Sequence, residues 1–313
     1  MIPVIVLAGP TASGKTALAV ELAGALGAEV VSADSRQVYR GLDVGTAKPP
    51  ADVRAAVAHH LIDILDPVEA YNAGSFARDA AAVIERLCAS GKTALVCGGT
   101  GFYIEALLNP MFDEPLAGDA RREEIRRELE RLAERHGPQA LHDRLAGVDP
   151  SSAARLHPND IQRVSRALEL YCLTGRTMTE LLSSPRPGSA FRPFQVVLDP
   201  PRDLLERNIA ARSAQMLAGG WVEEVEGLLA GGLTGDAPGL QSLGYAEVVA
   251  HVQGGLTLEQ TLEAVNRKTR QYAKRQRTWF RRRPCRLRLS RVPVKIDSIL
   301  AGWESHLEQD RSG

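Results

Sequence analysis

A glycine loop near the amino terminus constrains this chain more than any other feature. Residues 9–16 read GPTASGKT, between the β-branched apolar run 2–8 and a helical run over 17–25. Gly9 and Gly14 let backbone N–H groups approach phosphates, and the following helix directs its positive end at them. Residues predicted to bind a diphosphate are Gly9, Pro10, Thr11, Ala12, Ser13, Gly14, Lys15 and Thr16. Lys15 adds a mobile cation, and the Thr16 hydroxyl is a candidate ligand of Mg²⁺.

Apolar runs that predict strands alternate with amphipathic runs that predict helices. The expected strands lie at 2–8, 28–34, 59–65 and 92–98, and the expected helices at 17–25, 72–91 and from residue 102. Such alternation indicates a parallel sheet with helices on both faces. With the glycine loop after the first strand, the predicted fold class is α/β with a P-loop NTPase-like core.

The chain changes character after this first half of the core. Residues 114–190 are charged, helical in period and free of strand signals, which predicts a helical insertion domain. Residues 1–113 then form the first part of the core. Residues 191–285 form the second part, with a strand at 194–200 and basic helices up to 283. Residues 286–313 are predicted as a tail without regular elements.

The composition is that of an ordinary globular protein, and it also bears on the cellular compartment of the chain. Hydrophobic residues make up 44% of the 313 residues and charged residues 24%. No apolar run reaches the roughly 18 residues of a membrane helix, and the amino terminus is typical of a core strand and not of a signal peptide. The four cysteines are scattered, as expected for reduced thiols. We expect a cytoplasmic protein without a membrane partner.

Charge is balanced overall but concentrated locally. Net charge is zero, yet no acidic residue occurs between residues 264 and 295. Within this segment, Tyr272, Trp279 and Phe280 interleave with lysines and arginines, a combination that favours single-stranded RNA. The alternative is a basic amphipathic helix with its aromatic side chains in the core.

Polar residues at the ends of two predicted strands are candidates for catalysis. Asp34 follows the strand 28–34, at the edge where α/β sheets place ligands. Its carboxylate could hold Mg²⁺ through water or act as a general base, or it could merely cap a turn. Thr100, in the sequence GGTG, could bond a phosphate, a base or a ribose, or cap the next helix. In the helical insertion, Arg163 and Arg166 have helical spacing, and the pattern alone favours a solvated helix face over a binding role.

Taken together, several motifs resemble one family. They are GPTASGKT, DSRQVY, GTAKP, HHLID, GGTGFYIEALL, HPNDIQRVSRALE, LGYAE and TRQYAKRQRTWFR, in this order over residues 3–283. The combination resembles the tRNA dimethylallyltransferases, also called tRNA isopentenyltransferases, of the bacterial type. The resemblance implies transfer of a dimethylallyl group from dimethylallyl diphosphate to N6 of adenosine 37, 3′ of the anticodon in tRNA.

The same resemblance assigns roles to residues. Asp34 is implied as the general base, with Thr100 and Lys15 in the catalytic centre. Residues 9–16 and Arg212 are implied to bind the diphosphate, and Thr16 to hold the cofactor Mg²⁺. One departure is Asn208, which stands where many relatives carry an arginine.

The implied partner is the anticodon stem-loop of tRNA, and we expect the chain to act as a monomer. The implied contacts are Asp34, Ser35, Arg36, Gln37, Thr100, Arg122, Gln162, Arg163, Val164, Ser165, Arg166, Leu240, Gln241, Ser242, Leu243, Gly244, Tyr245, Lys274, Arg275, Gln276, Arg277, Thr278, Trp279, Phe280 and Arg281.

Two other functions explain part of the pattern. A P-loop kinase of a small molecule or nucleoside accounts for the loop and the sheet, but it leaves the basic aromatic segment without a role. A non-catalytic RNA-binding ATPase accounts for the phosphate loop and for the basic aromatic segment, with the phosphates serving as a conformational signal.

Overall fold

The computed structural model describes residues 1–109, 119–184, 188–291 and 293–311. The chain divides into two compact units. The first unit comprises Met1–Leu108 and Ser189–Gly313, and the second comprises Asn109–Gly188. The predicted boundary at 113/114 lies outside the described residues.

One parallel sheet organises the first unit. In chain order its strands are β1 (Ile2–Ala8), β2 (Glu29–Ser32), β3 (His59–His60), β4 (Ala94–Gly98), β5 (Phe191–Leu198) and β6 (Leu287–Leu289). Their spatial order is β3-β2-β4-β1-β5-β6, and every pairing is parallel. Because all strands run the same way, their carboxyl ends meet at one edge, where the loops that follow them gather.

Helices surround this sheet and also build the second unit. In chain order they are α1 (Lys15–Leu26), α2 (Ala51–Ala56), α3 (Ala73–Ala89), α4 (Gly101–Leu108), α5 (Asp119–Val148, broken at Gly137), α6 (Pro150–Ala153), α7 (Ile161–Thr174), α8 (Met178–Ser183), α9 (Arg202–Met216), α10 (Val222–Ala230), α11 (Tyr245–Val252), α12 (Leu258–Arg281) and α13 (Asp297–Arg311). A π-helical turn, Leu217–Trp221, joins α9 to α10.

Two apolar clusters cover the two faces of the sheet. On one face, α3, α4 and the end of α12 pack on alternate strand residues such as Val6 and Val96. On the other face, α1 and α13 pack on the residues between them, such as Ile5 and Leu95. This arrangement confirms the predicted α/β fold with helices on both faces of a parallel, P-loop NTPase-like core.

The second unit has a core of its own. Apolar side chains of α5, α6 and α7 meet in it, with Leu141 and Val164 fully buried. Helix α5 breaks at Gly137 (φ 79°), directly before Pro138, since proline cannot continue a helix that precedes it. The charged, strand-free stretch therefore folds into helices in the described part, residues 119–184.

The structure departs from the sequence-based elements at two places. The third strand ends at His60, because Leu61 (φ 63°) and Asp63 (φ 57°) adopt left-handed conformations that turn the chain out of the sheet. The expectation of a tail without regular elements is also wrong. Leu287–Leu289 adds β6 to the sheet through pairing with β5, and Ile299 and Trp303 of α13 are buried on the sheet face. No described helix is long and apolar enough to cross a membrane.

Candidate active site

The glycine loop joins β1 to α1 and has the backbone that phosphate binding requires. Gly9 has φ 154°, and a Cβ there would lie 2.6 Å from the carbonyl oxygen of Leu198. Gly14 caps α1 with φ 87° and offers no side chain to its first turn. The first N–H groups of an α-helix lack partners within the helix, and its dipole favours an anion at this end.

This loop opens on a cavity of about 820 Å³ at the carboxyl edge of the sheet. Its wall combines the loop, the segment after β2, the end of β4, and parts of α9 and α12. The predicted site residues that line it are Thr11, Ala12, Ser13, Gly14, Lys15, Thr16, Asp34, Ser35, Arg36, Gln37, Arg212, Gln241, Ser242, Leu243, Arg275 and Gln276. Candidate phosphate ligands and the candidate base thus share one cavity.

Hydrogen bonds from backbone N–H groups hold the loops of Asp34 and Thr100 beside each other. Asp34 Oδ1 accepts a hydrogen bond from the N–H of Arg36 at 2.9 Å. Thr100 Oγ1 accepts one from the N–H of Ser35 at 3.1 Å, and the Thr100 N–H donates to the carbonyl of Ala33 at 3.2 Å. The carboxylate of Asp34 therefore has a fixed position in the cavity wall.

Tyr272 of α12 is a neighbour of this pair that sequence reasoning did not select as a site residue. Burial raises its pKa, and the nearby Asp34 carboxylate raises it further, whereas a hydrogen bond with Thr100 acts in the opposite direction. The raised pKa keeps the phenol protonated at neutral pH. Its place in the cavity lining makes it a hydrogen-bonding partner available to a bound substrate.

Lys15 lies in the loop with its ammonium group directed back along it. Nζ donates to the carbonyl of Pro10 at 2.7 Å. Burial lowers the pKa of Lys15 to about 8, while the Asp34 carboxylate opposes this shift. Burial also raises the pKa of Cys97 to about 11, so this thiol of the cavity wall is neutral and unreactive at physiological pH.

Helix α9 contributes two side chains to the back of the loop. The guanidinium of Arg212 donates to the hydroxyl of Thr11. Asn208 Nδ2 donates to the carbonyl of Ala12 at 3.1 Å. Asn208 thus fastens the loop backbone at the position where the resemblance implies an arginine in many relatives, which leaves Arg212 as the cation that α9 places in the cavity lining.

Gln276 of α12 connects the two glycine-containing loops. Its Oε1 accepts from the N–H of Thr11 at 2.8 Å, and its Nε2 donates to the carbonyl of Gly99 at 2.9 Å. The side chain is buried. Gly99 has no room for a Cβ, which would collide with the Gln276 amide. This bridge sets the distance between the phosphate loop and the loop that carries Thr100.

The other residues of the predicted 274–281 contact segment divide into three groups. Lys274, Arg275 and Thr278 are exposed, and with four neighbours they line an outer groove of about 570 Å³, made of Gln271, Lys274, Arg275, Thr278, Trp279, Arg282 and Arg283. Arg277 and Arg281 instead bind the carboxylate of Asp199, at 2.8 and 2.9 Å. Phe280 is buried in the core under the sheet.

The predicted RNA contacts at 240–245 include three residues of the cavity wall, and their side chains differ in exposure. Leu240 and Tyr245 are fully buried, and Ser242 is nearly so, whereas Gln241 is exposed. Gly244 adopts φ 92° between them. Among these four side chains, only that of Gln241 is exposed enough to meet a large ligand; the buried ones shape the segment.

In the second unit, one buried carboxylate lies close to three arginines, two of which are predicted RNA contacts. Glu169 is 4% exposed and lies 2.8 Å from Arg166, 3.2 Å from Arg126 and 3.7 Å from Arg122. Among the other predicted contacts there, Gln162 and Arg163 are exposed, Ser165 is half-buried and Val164 is fully buried.

The oxygen groups of the cavity fit a magnesium ion that keeps water and phosphate ligands. The exposed hydroxyl of Thr16 and the carboxylate of Asp34 both line the cavity. Among the described residues there is no group of three or more His, Cys, Asp or Glu side chains that could hold a metal. Mg²⁺ is commonly bound through one or two protein oxygens together with substrate phosphates, a pattern that the Thr16 hydroxyl fits.

Comparison with known proteins places these features in a family. A family model described as IPP transferase matches residues 37–283, and one described as isopentenyl transferase matches residues 2–61. The chain is 46% identical to the tRNA dimethylallyltransferase of Geobacter sulfurreducens over 94% of both chains. It is 49% identical to that of Anaeromyxobacter dehalogenans, over 89% of this chain and 91% of the relative.

Solved structures similar to this chain belong to the same group of transferases. The full-length tRNA isopentenylpyrophosphate transferase of Bacillus halodurans is 35% identical, with a TM-score of 0.71 over 99% of this chain and 100% of that one. A eukaryotic dimethylallyltransferase acting on tRNA is 27% identical, with a TM-score of 0.80 over 99% of this chain and 78% of that one. The chain belongs to the IPP transferase family.

Proposed function

We propose that this chain transfers the dimethylallyl group of dimethylallyl diphosphate to N6 of adenosine 37, next to the anticodon of tRNA. One observation carries the proposal: the phosphate loop, Arg212 and Asp34 line the same cavity. A leaving diphosphate and a proton acceptor are the two groups that N-alkylation of an adenine requires. The names of the relatives describe the same reaction class.

The exocyclic amine of adenine is a weak nucleophile because its lone pair is delocalised into the ring. In the proposed reaction this nitrogen attacks the first carbon of the allyl group, and the bond from that carbon to the diphosphate oxygen breaks. Its electron pair leaves with the diphosphate, and the N6 proton passes to the carboxylate of Asp34. Lys15, Arg212 and the N-terminus of α1 stabilise the negative charge that develops on the leaving group.

The remaining groups would position the two substrates. Thr16 would hold Mg²⁺, which would supply charge stabilisation to a diphosphate when bound. Thr100 and Tyr272 would orient the adenine against Asp34. The exposed members of the predicted contact set, among them Gln241, Lys274 and Arg275, would hold the tRNA around a base that has left its stack.

A single chain supplies the phosphate loop, Arg212 and Asp34 that the reaction requires, and we propose that it acts as a monomer. We also propose a cytoplasmic location, where tRNA is available.

The experiment that tests the function combines chain, Mg²⁺, dimethylallyl diphosphate and tRNA. Nucleosides from the digested tRNA are weighed by mass spectrometry, and diphosphate release is followed in parallel. We expect N6-dimethylallyladenosine, with diphosphate released only when both substrates are present. A chain that turns over ATP without modifying tRNA would instead support a kinase or an RNA-binding ATPase.

A further inference from the structure

An exposed aromatic ring lies beside the outer groove. Phe102, in the first turn of α4, is 55% exposed. Single exposed apolar side chains are common on protein surfaces, so the exposure of Phe102 is informative only through the groups that surround it. Thr100, two residues earlier, is bonded to Ser35 of the cavity wall. The ring is thus a short distance along the chain from the candidate catalytic centre.

The groove next to this ring is basic and held in place by packing. The ring of Phe102 meets that of Trp279 edge-on, with centroids 6.1 Å apart. The guanidinium of Arg283 stacks on the Trp279 ring, 3.4 Å from its centroid. The same guanidinium pairs with the carboxylate of Glu105 at 2.8 Å. No acidic residue lines the groove within the part of the chain that the structure describes.

The groove and the catalytic cavity are neighbours. Arg275 belongs to the walls of both. Gly101, between Thr100 and Phe102, approaches the Trp279 ring so closely that a Cβ would collide with it. A nucleic acid that places one base in the cavity therefore brings its adjoining nucleotides to the groove, since consecutive nucleotides are joined by a short backbone.

We propose that Phe102 is a stacking platform for an unpaired nucleobase next to the target adenosine, while Lys274, Arg275 and Arg282 bind the phosphates on either side of that base. The inference rests on the proposed function and adds a binding residue to it. An aromatic ring flanked by cations is the arrangement with which proteins hold single-stranded RNA. A protein partner that covered Phe102 would need acidic side chains to match the same cations.

The test replaces Phe102 and watches the neighbouring base directly. An anticodon stem-loop carries 2-aminopurine, whose fluorescence is quenched by stacking, at the nucleotide on the 5′ or the 3′ side of the target. Binding is titrated without donor, with wild type, Phe102→Ala and Phe102→Tyr. Leu258→Ala is the matched control, because Leu258 is 50% exposed at the far end of α12, about 30 Å along the helix from Trp279.

We expect one of the two labels to change its fluorescence on wild-type binding. Phe102→Ala should abolish this change and weaken affinity by about 5-fold or more, while Phe102→Tyr and Leu258→Ala behave as wild type. Equal affinity and equal fluorescence for wild type and Phe102→Ala would overturn the proposal, as would two silent labels. Because these readings need no transfer, they judge the inference separately; absence of product with the wild-type chain would reject the proposed function instead.

Discussion

Asp34 and Thr100 meet because their strands are neighbours in the sheet. Strand β2 pairs with β4, with Ser32 opposite Cys97, and each residue follows the end of its strand by two positions. The loop bonds then fix Asp34 with one carboxylate oxygen on the Arg36 N–H. The proposed proton transfer therefore depends on the position of one carboxylate, that of Asp34.

The first prediction concerns this carboxylate. Asp34→Asn keeps the oxygen that accepts from Arg36 but cannot accept the proton of N6. We expect the rate of transfer at saturating substrates to fall by about 10²- to 10⁴-fold, with tRNA affinity largely retained. Single-turnover kinetics and a filter-binding titration measure the two quantities. Asp203→Asn, an exposed acid on α9, is the control. Undiminished transfer by the Asp34 variant would remove it from the role of base.

Lys15 yields a prediction about pH. Its pKa in the free chain is about 8, and the protonated form binds the diphosphate. As pH rises through 8 the free chain loses this proton, so donor affinity should weaken by up to about tenfold per pH unit above that value. Well below pH 8 the contribution of Lys15 is fully present. Calorimetric titration of dimethylallyl diphosphate across this range measures the effect.

The matched variant for this titration is Lys15→Gln. Its donor affinity should be weak at every pH and should lack the decline above pH 8, because the titrating cation is gone. A decline of the same size in the variant would assign it to another group.

Helix α12 illustrates what one element does in this protein. Its buried side chains recur every three or four residues, at Thr261, Val265, Thr269, Ala273, Gln276 and Phe280. They fasten the helix to the core, and Gln276 in addition bridges the two loops of the site. The exposed side of the same helix carries Lys274 and Arg275. One helix thus both shapes the cavity and presents cations outside it.

The prediction for this element is that Gln276→Ala damages stability and donor binding together. Truncation removes the partners of the Thr11 N–H and the Gly99 carbonyl, which costs about 1–3 kcal/mol in the free energy of unfolding. It also frees the phosphate loop, so donor affinity should fall. Urea unfolding and calorimetry measure both.

Gln271→Ala changes the same residue type at an exposed position of α12 and should leave both quantities unchanged. Should Gln276→Ala match Gln271→Ala in both assays, the bridge would have no energetic role.

At the scale of the whole molecule, charge is separated although its sum is zero. The segment 264–295 has no acidic residue, and three of its exposed cations, Lys274, Arg275 and Arg282, line the outer groove. Release of counterions from RNA phosphates makes such binding strongly dependent on salt.

We therefore predict that neutralising Lys274 and Arg275 together with glutamine flattens the salt dependence of tRNA binding. The slope of log affinity against log salt should fall by between about 1.4 and 1.8 for the two lost phosphate contacts. The control is the double variant Arg86→Gln with Lys92→Gln, at the opposite edge of the sheet near the start of β4. Equal slopes for the two double variants would return α12 to a purely structural role.

The sequence by itself determined the features that depend on local chemistry. The phosphate loop needs glycines at 9 and 14 and a helix behind them, and the alternation of runs determines a parallel sheet. Asp34 and Thr100 could be selected because strand ends in such a sheet are adjacent. Recognition of the motifs together then indicated the family and its reaction.

Only the tertiary structure decided which side chains of the basic segment face the solvent. Helical period does not tell which arginines meet an acid from another element, and Asp199 takes Arg277 and Arg281 out of the groove. Nor does it tell that Gln276 spans two loops, that Phe102 lies against Trp279, or that 287–289 becomes a strand by pairing with β5. Each of these depends on residues distant in the chain, and their contacts exist only once the chain has folded.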